Sequence, residues 1–281
     1  MRLVDAHHHL WDPARRTYDW LAGLDPIRRP YTEADLRAVT PADATVLVQT
    51  VPSVEETEEF LRTAASSDLV AGVVGWVDLT APDVADAVAA LRSAPGGEHL
   101  VGIRHGAQDE PDPRWLVRPD VVRGITAVAA AGLTYDVLVR PAQHEATVEL
   151  ADAVPGVRLV LDHAGKPAIV DGAYEPWAEF VTALAARPNV FCKLSGLVTE
   201  ADWTKWTVED LKPYAAHVLE SFGPDRVMFG SDWPVCELAA TYDQVYAAAR
   251  AVTGGLSTSE QDDVFGGTAV RAYPITAPAD R

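Results

Sequence analysis

The chain has 281 residues, 48% of them hydrophobic, with 41 acidic against 23 basic side chains and a formal charge of −18. That balance argues against general nucleic-acid or anionic-membrane binding, which needs clustered positive charge. No apolar run reaches the roughly 18–20 residues of a membrane span, and no basic leader with an apolar stretch opens the sequence, so the expected location is cytoplasmic.

In chain order, short β-branched or apolar runs predict strands at 2–7, 44–50, 70–77, 100–105, 134–139, 157–162, 189–195 and 226–231. Between them, helical spacing of apolar residues predicts helices at 54–66, 83–92, 119–131, 143–153, 174–186, 208–222 and 240–252, with a last one at 259–272. Pro82-Asp83 and Pro119-Asp120 mark two helix starts, with an acidic group at the positive helix end. Strand–helix alternation implies parallel pairing through crossovers. Eight repeats of that unit predict an α/β fold, a single (β/α)8 TIM barrel over residues 1–281. A doubly wound open sheet competes less well, because it usually has fewer strands, and no Gly-rich phosphate loop follows the first strand. Segments 10–43 and 105–118 are expected to be long loops over the C-terminal mouth, and the tail from Ala277 to fray. Cys192 and Cys236 form no close redox or metal-binding pair. Cys192, inside an apolar run, is expected in the core.

Barrel enzymes carry their chemistry at the C-terminal ends of the strands, and here those ends are polar. His7 and His9 end the first strand, and alternation puts them on one face with His8 on the other. Arg104 and His105 end the fourth strand, Arg140 follows the fifth, and His163 and Lys166 follow the sixth. Lys193 and Ser195 lie on the seventh, and Asp232 follows the eighth. His7, His9, His163 and Asp232 can converge in a closed sheet, a set that suits one zinc or similar divalent ion. Asp232 can also take a proton from attacking water. Each has a plainer reading: an Asx turn in Gly-Ser-Asp-Trp-Pro for Asp232, and a backbone-satisfied strand end for His163. Lys193 is expected to point into the barrel, either binding a substrate oxygen or pairing with Asp232. Arg104 and His105 either bind substrate or, for Arg104, brace the rim by an ion pair. Trp11, Trp115 and Trp233 are near these groups in sequence and either pack on a small ring or serve as lid packing. His99, His144 and His217 are expected to be structural.

Asp5-Ala-His-His-His-Leu-Trp-Asp12, Val101-Gly-Ile-Arg-His105, Leu161-Asp-His-Ala-Gly-Lys-Pro167, Cys192-Lys-Leu-Ser-Gly196 and Met228-Phe-Gly-Ser-Asp-Trp-Pro-Val235 occur in order. Phe265-Gly-Gly-Thr-Ala-Val-Arg-Ala-Tyr273 follows near the end. Together these strings resemble the amidohydrolase-2 branch of the amidohydrolase superfamily. Within that branch they look like the metal-dependent barrel hydrolases that include L-fuconolactonases and L-rhamnonolactonases. The resemblance implies a (β/α)8 barrel, hydrolysis of a sugar-acid lactone, and His7, His9, His163 and Asp232 as the core site. It makes Asp232 the general base, His163 its catalytic companion, and Arg104, His105, Lys166, Lys193, Trp11 and Trp233 substrate-contact candidates. The fourth strand offers no lysine to bridge two metals and the fifth ends in Arg140 instead of histidine, so one divalent ion (zinc or manganese) is expected. Metal-independent activity remains the other reading, with the histidines on substrate. A decarboxylase of an aromatic or unsaturated acid, or a non-catalytic ligand-binding barrel, is the alternative function. The expected partner is a small-molecule lactone, without nucleic acid or membrane. A homo-oligomer is among the expected states.

Overall fold

The computed structural model describes residues 3–275. Eight strands, β1 (Val4–His8), β2 (Ala44–Val48), β3 (Val70–Gly75), β4 (Leu100–His105), β5 (Thr134–Val137), β6 (Leu159–Leu161), β7 (Val190–Leu194) and β8 (Val227–Phe229), pair in parallel in chain order. The ends of that sheet meet. His8 bridges Trp233, His9 N donates to Trp233 O at 2.7 Å, and Asp232 N donates to His7 O at 2.8 Å. The expected TIM barrel is therefore present, and its closing seam runs through the histidine cluster.

Strand alternation makes two apolar layers. Val46, Val48 and Val160 join an interior cluster with Met228, whereas Leu47, Leu159 and Leu161 pack outward against the helices. Tyr273 and Ile275 belong to the interior cluster. Asp136 on β5 and Lys193 on β7 put opposite charges at interior positions instead.

Seven helices fall where the spacing predicts them: Val54–Ala65, Val84–Ser93, Pro119–Ala130, His144–Ala153, Trp177–Ala185, Val208–Phe222 and Tyr242–Val252. Ser53 caps the first by accepting from Glu56 N. The eighth expected helix is instead three pieces, Thr258–Asp262, a wide turn Asp263–Gly267 and Thr268–Ala272, because the backbone leaves helical geometry at Gly266. Most strands stop short of their expected ends, where the chain turns aside to build loops at the mouth. Within 10–43, short turns at Asp19–Leu21 and Asp25–Ile27 precede a capped helix, Glu33–Arg37. The expected fraying tail from Ala277 lies outside the described residues. Among the described residues no helix is long and apolar enough to cross a membrane.

Candidate active site and metal centre

Asp5 pins the seam from below. Its Oδ1 accepts from His7 N (3.1 Å) and Ser231 N (2.8 Å), and its Oδ2 from Ser231 Oγ (2.6 Å) and Tyr242 OH (3.0 Å). With β1 and the β8 loop so tied, His7 Nε2 and His9 Nε2 lie 3.1 Å apart. Asp232 Oδ1 is 3.8 Å from the first and 3.6 Å from the second. These three residues form a group able to share one ion. His8 points away to Thr45 Oγ1 at 2.9 Å, as alternation requires.

His163 is held by a sharp turn. His163, Ala164, Lys166 and also Asp232 have left-handed backbones (φ +51° to +57°), a conformation that costs energy and collects at working sites. Its Nδ1 faces Ser195 Oγ at 2.9 Å and its Nε2 is 4.0 Å from Asp232 Oδ1. Gly196 is required beside it, because a Cβ there would come within 2.6 Å of His163 Nδ1. His163 groups more closely with His7 and Asp162 than with His9. Three of the four expected ligands thus converge tightly, and His163 flanks them.

Protonation favours ligation. Burial lowers the His7 pKa well below the usual value, with the Lys193 charge adding to the effect, and lowers His163 to about 4. Both imidazoles are neutral at pH 7. His9 Nδ1 donates to Val48 O at 2.7 Å, which leaves its Nε2 lone pair facing the cluster. Burial alone would raise the Asp232 pKa, but His163 and His9 outweigh it, and the carboxylate stays ionised. Two imidazole nitrogens and an anionic oxygen converging on one point fit a divalent cation.

Beneath His7 lies a buried charge network. Lys193 Nζ donates to Asp136 Oδ2 (2.6 Å) and lies 2.9 Å from Asp162 Oδ1 and 3.0 Å from His7 Nδ1. Arg104 donates from Nη1 to Asp162 Oδ2 (2.9 Å) and from Nη2 to Gln49 O (2.5 Å). Burial would raise the Asp162 pKa, yet Lys193, His7 and Arg104 together hold it well below the usual range. Asp5, Asp136 and Asp162 carry no role in the sequence reading. The available signal was an acidic residue inside or directly after an apolar strand, where only a partnered charge is tolerated.

Above the cluster opens a cavity of about 750 Å³. His9, Arg104, His105, His163, Lys166 and Asp232 all reach its walls. Three expected substrate contacts do not. Lys193 is fully buried and pairs with Asp136 and Asp162, not Asp232, because those carboxylates neutralise it inside the barrel. Trp233 and Trp11 are buried away from the walls. Trp233 Nε1 donates to Glu237 Oε1 (2.9 Å), Trp11 Nε1 donates to Ile27 O (3.2 Å), and both rings pack edge-on against Tyr31. His105 reaches the cavity with both nitrogens engaged, by Trp76 Nε1 (3.1 Å) and Glu110 Oε1 (2.7 Å), and stacks on Trp115. Arg104 both lines the cavity and makes the bracing ion pair. His144 and His217 bond the backbone oxygens of Gly165 and Ala178 and are structural, as expected. Cys192 is buried in the core.

An L-fucono-1,5-lactonase of Burkholderia multivorans is 40% identical over 99% of this chain and 97% of its own. A second L-fucono-1,5-lactonase, from Burkholderia ambifaria, is 37% identical over 98% and 97%. The crystal structure of an amidohydrolase from B. multivorans with bound zinc superposes with a TM-score of 0.92 at 38% identity, covering 98% of this chain and all of that one. The amidohydrolase family Amidohydro_2 matches residues 4–275. With full-length relatives and a barrel whose seam carries the donor cluster, the chain belongs to the Amidohydro_2 amidohydrolases.

Proposed function

We infer that this chain is a lactonase that opens a sugar-acid lactone to its hydroxy acid. The observation that carries the reading is the convergence of His7 Nε2, His9 Nε2 and Asp232 Oδ1 at the base of a cavity that His9 and Asp232 line, in a chain with two full-length lactonase relatives. Water oxygen bonds to the ring carbonyl carbon, Asp232 takes the water's proton, and that proton passes to the ring oxygen as the carbon–oxygen bond breaks. His163, steadied through Nδ1 by Ser195, turns Nε2 toward the carbonyl. Lys166 brings an ammonium into the same cavity as a substrate contact. Arg104 and Lys193 act through Asp162 on His7 and hold its ring in place. His7, His9 and Asp232 would hold one divalent ion, for which we propose zinc, on the donor set and the zinc-bound relative. When bound, it supplies Lewis acidity toward the carbonyl or the attacking water.

The test is a panel of aldonolactones assayed by proton release in weak buffer, with and without chelator, in ¹⁸O-labelled water. Hydroxy acid carrying one solvent oxygen is expected. Release of carbon dioxide from an unsaturated or aromatic acid, with no lactone opened, would make it a decarboxylase and sink the reading. Chelator-resistant opening would keep the lactonase and move the histidines to substrate binding.

A further inference from the structure

Lys166 and Glu200 face each other in the cavity wall at 3.9 Å, too far for a hydrogen bond. Their side chains are only 15% and 21% exposed, so each is a largely desolvated charge with unfilled bonding capacity. Burial pushes the Lys166 pKa down and the Glu200 pKa up, each only partly offset by the other. Beside them stands Trp203. It is one of four exposed large hydrophobic residues among those described, and it alone of the four lines the cavity, at 43% exposure.

We propose that Lys166, Glu200 and Trp203 form a subsite that reads the hydroxylated ring of the substrate. This rests on the lactonase reading and names the residues that recognise the hydroxyls of its sugar-acid lactone. The indole is not a loose surface side chain. Its Nε1 donates to Thr199 O at 2.8 Å, and Thr199 Oγ1 donates to Gly196 O at 2.8 Å. The short helix Leu197–Glu200 between them is anchored by buried Leu197 and Val198. It begins at Gly196, the residue that packs on the His163 ring. The platform is therefore fixed relative to His163, and Lys166 follows His163 by three residues. A sugar ring has one apolar C–H face and a rim of hydroxyls, each both donor and acceptor. Trp203 offers a flat apolar surface for the face. The ammonium's three donors and the carboxylate's acceptor sites, 3.9 Å apart, bracket two neighbouring hydroxyls.

The experiment compares kcat/KM for the best aldonolactone of the panel with that for δ-valerolactone, which has no ring hydroxyls. Trp203→Ala and Glu200→Gln are expected each to lower this ratio at least tenfold, mainly through KM for the sugar lactone. Trp203→Phe is expected to recover most of the loss. Thermal melts check that the exposed Trp203 position leaves the fold intact. An unchanged ratio, whether both activities fall together or neither moves, would overturn the subsite. If the wild-type chain opens no lactone at all, the lactonase reading itself has failed. Saturation-transfer NMR with the corresponding aldonic acid then decides the subsite: binding lost in Trp203→Ala supports it, and undiminished binding overturns it.

Discussion

The ammonium of Lys193 donates to Asp136 Oδ2 at 2.6 Å inside the barrel and lies 3.0 Å from Nδ1 of His7 above. Neither Lys193 nor Asp136 has any exposed surface. Tyr273 OH also donates to Asp136 Oδ2 at 2.7 Å, linking the C-terminal segment to the floor under the site. One buried cation therefore joins the barrel's interior packing to the orientation of a candidate ligand.

Removing that cation is expected to be costly. Lys193→Met leaves Asp136 and Asp162 facing each other without it, and breaking a buried pair costs about 3–5 kcal/mol. Urea unfolding should show that loss. The double variant Lys193→Met/Asp136→Leu removes one stranded carboxylate and should recover part of it. A single variant as stable as the parent would mean that the network contributes nothing to folding.

Asp232→Asn keeps the side chain's size and removes the base. Turnover of the sugar lactone should fall by roughly 10²–10⁴, the range for a positioned acid–base group. The melting temperature should stay close to that of the parent. Activity within threefold of the parent would place the proton acceptor elsewhere.

The barrel was legible because each of its strand–helix units has its own periodicity, and seven helices and eight strands fall where that pattern places them. The His7/His9 pair was legible for a local reason, since alternation alone puts the two rings on one face. Lys193 was misplaced because alternation shows that it points inward but not how deep it sits. Its partners, Asp136 and Asp162, come from strands β5 and β6, and only the closed sheet brings them to it. Trp11 and Trp233 lie next to site residues in sequence, yet their indole nitrogens bond Ile27 O and Glu237, which turns both rings into the packing below the loops. The broken last helix had a visible warning in Gly266-Gly267, a pair that weakens helical preference.

Zinc should stabilise the fold independently of turnover. An ion held at His7, His9 and Asp232 binds only the native state, adding about 2.7 kcal/mol at a hundred times its Kd. Differential scanning fluorimetry of chelated protein should show a rise in Tm on adding zinc. His9→Ala should abolish the rise. An equal rise in the variant would locate the ion elsewhere.

Acid should weaken the protein through its buried histidines, and His144 isolates the effect away from the cluster. Burial lowers its pKa to about 4, while its ring stacks on Phe180 and its Nε2 donates to Gly165 O. Below about pH 6.5 the unfolded chain takes up a proton that folded His144 refuses until about pH 4. The unfolded state binds more protons across that window, so this contribution is complete above about pH 6.5 and declines as pH falls through it. The full loss is of order 3 kcal/mol. His144→Gln keeps a donor for Gly165 O but does not titrate, so its stability should fall less steeply between pH 6.5 and 4. Parallel slopes in urea titrations of the two proteins would refute the assignment.

Gly196 tests whether the His163 ring must sit where it does. Its φ of +66° is strained for any side chain, costing about 1–2 kcal/mol. An added methyl would also meet Nδ1 and Cγ of His163 at 2.6 and 2.8 Å. The ring also packs on His7, with the two ring centres 4.5 Å apart. Gly196→Ala should therefore lose stability by about the backbone cost and lose activity well beyond it, because the ring is pushed off its bond to Ser195 Oγ. The control is Gly132→Ala, at φ +79° with open space around it, which carries a comparable backbone penalty without touching the site. If both variants lose stability alike and Gly196→Ala keeps full kcat, the placement of His163 does not matter to the reaction. If kcat falls only in Gly196→Ala, the ring's position is part of the catalytic geometry and not a by-product of packing.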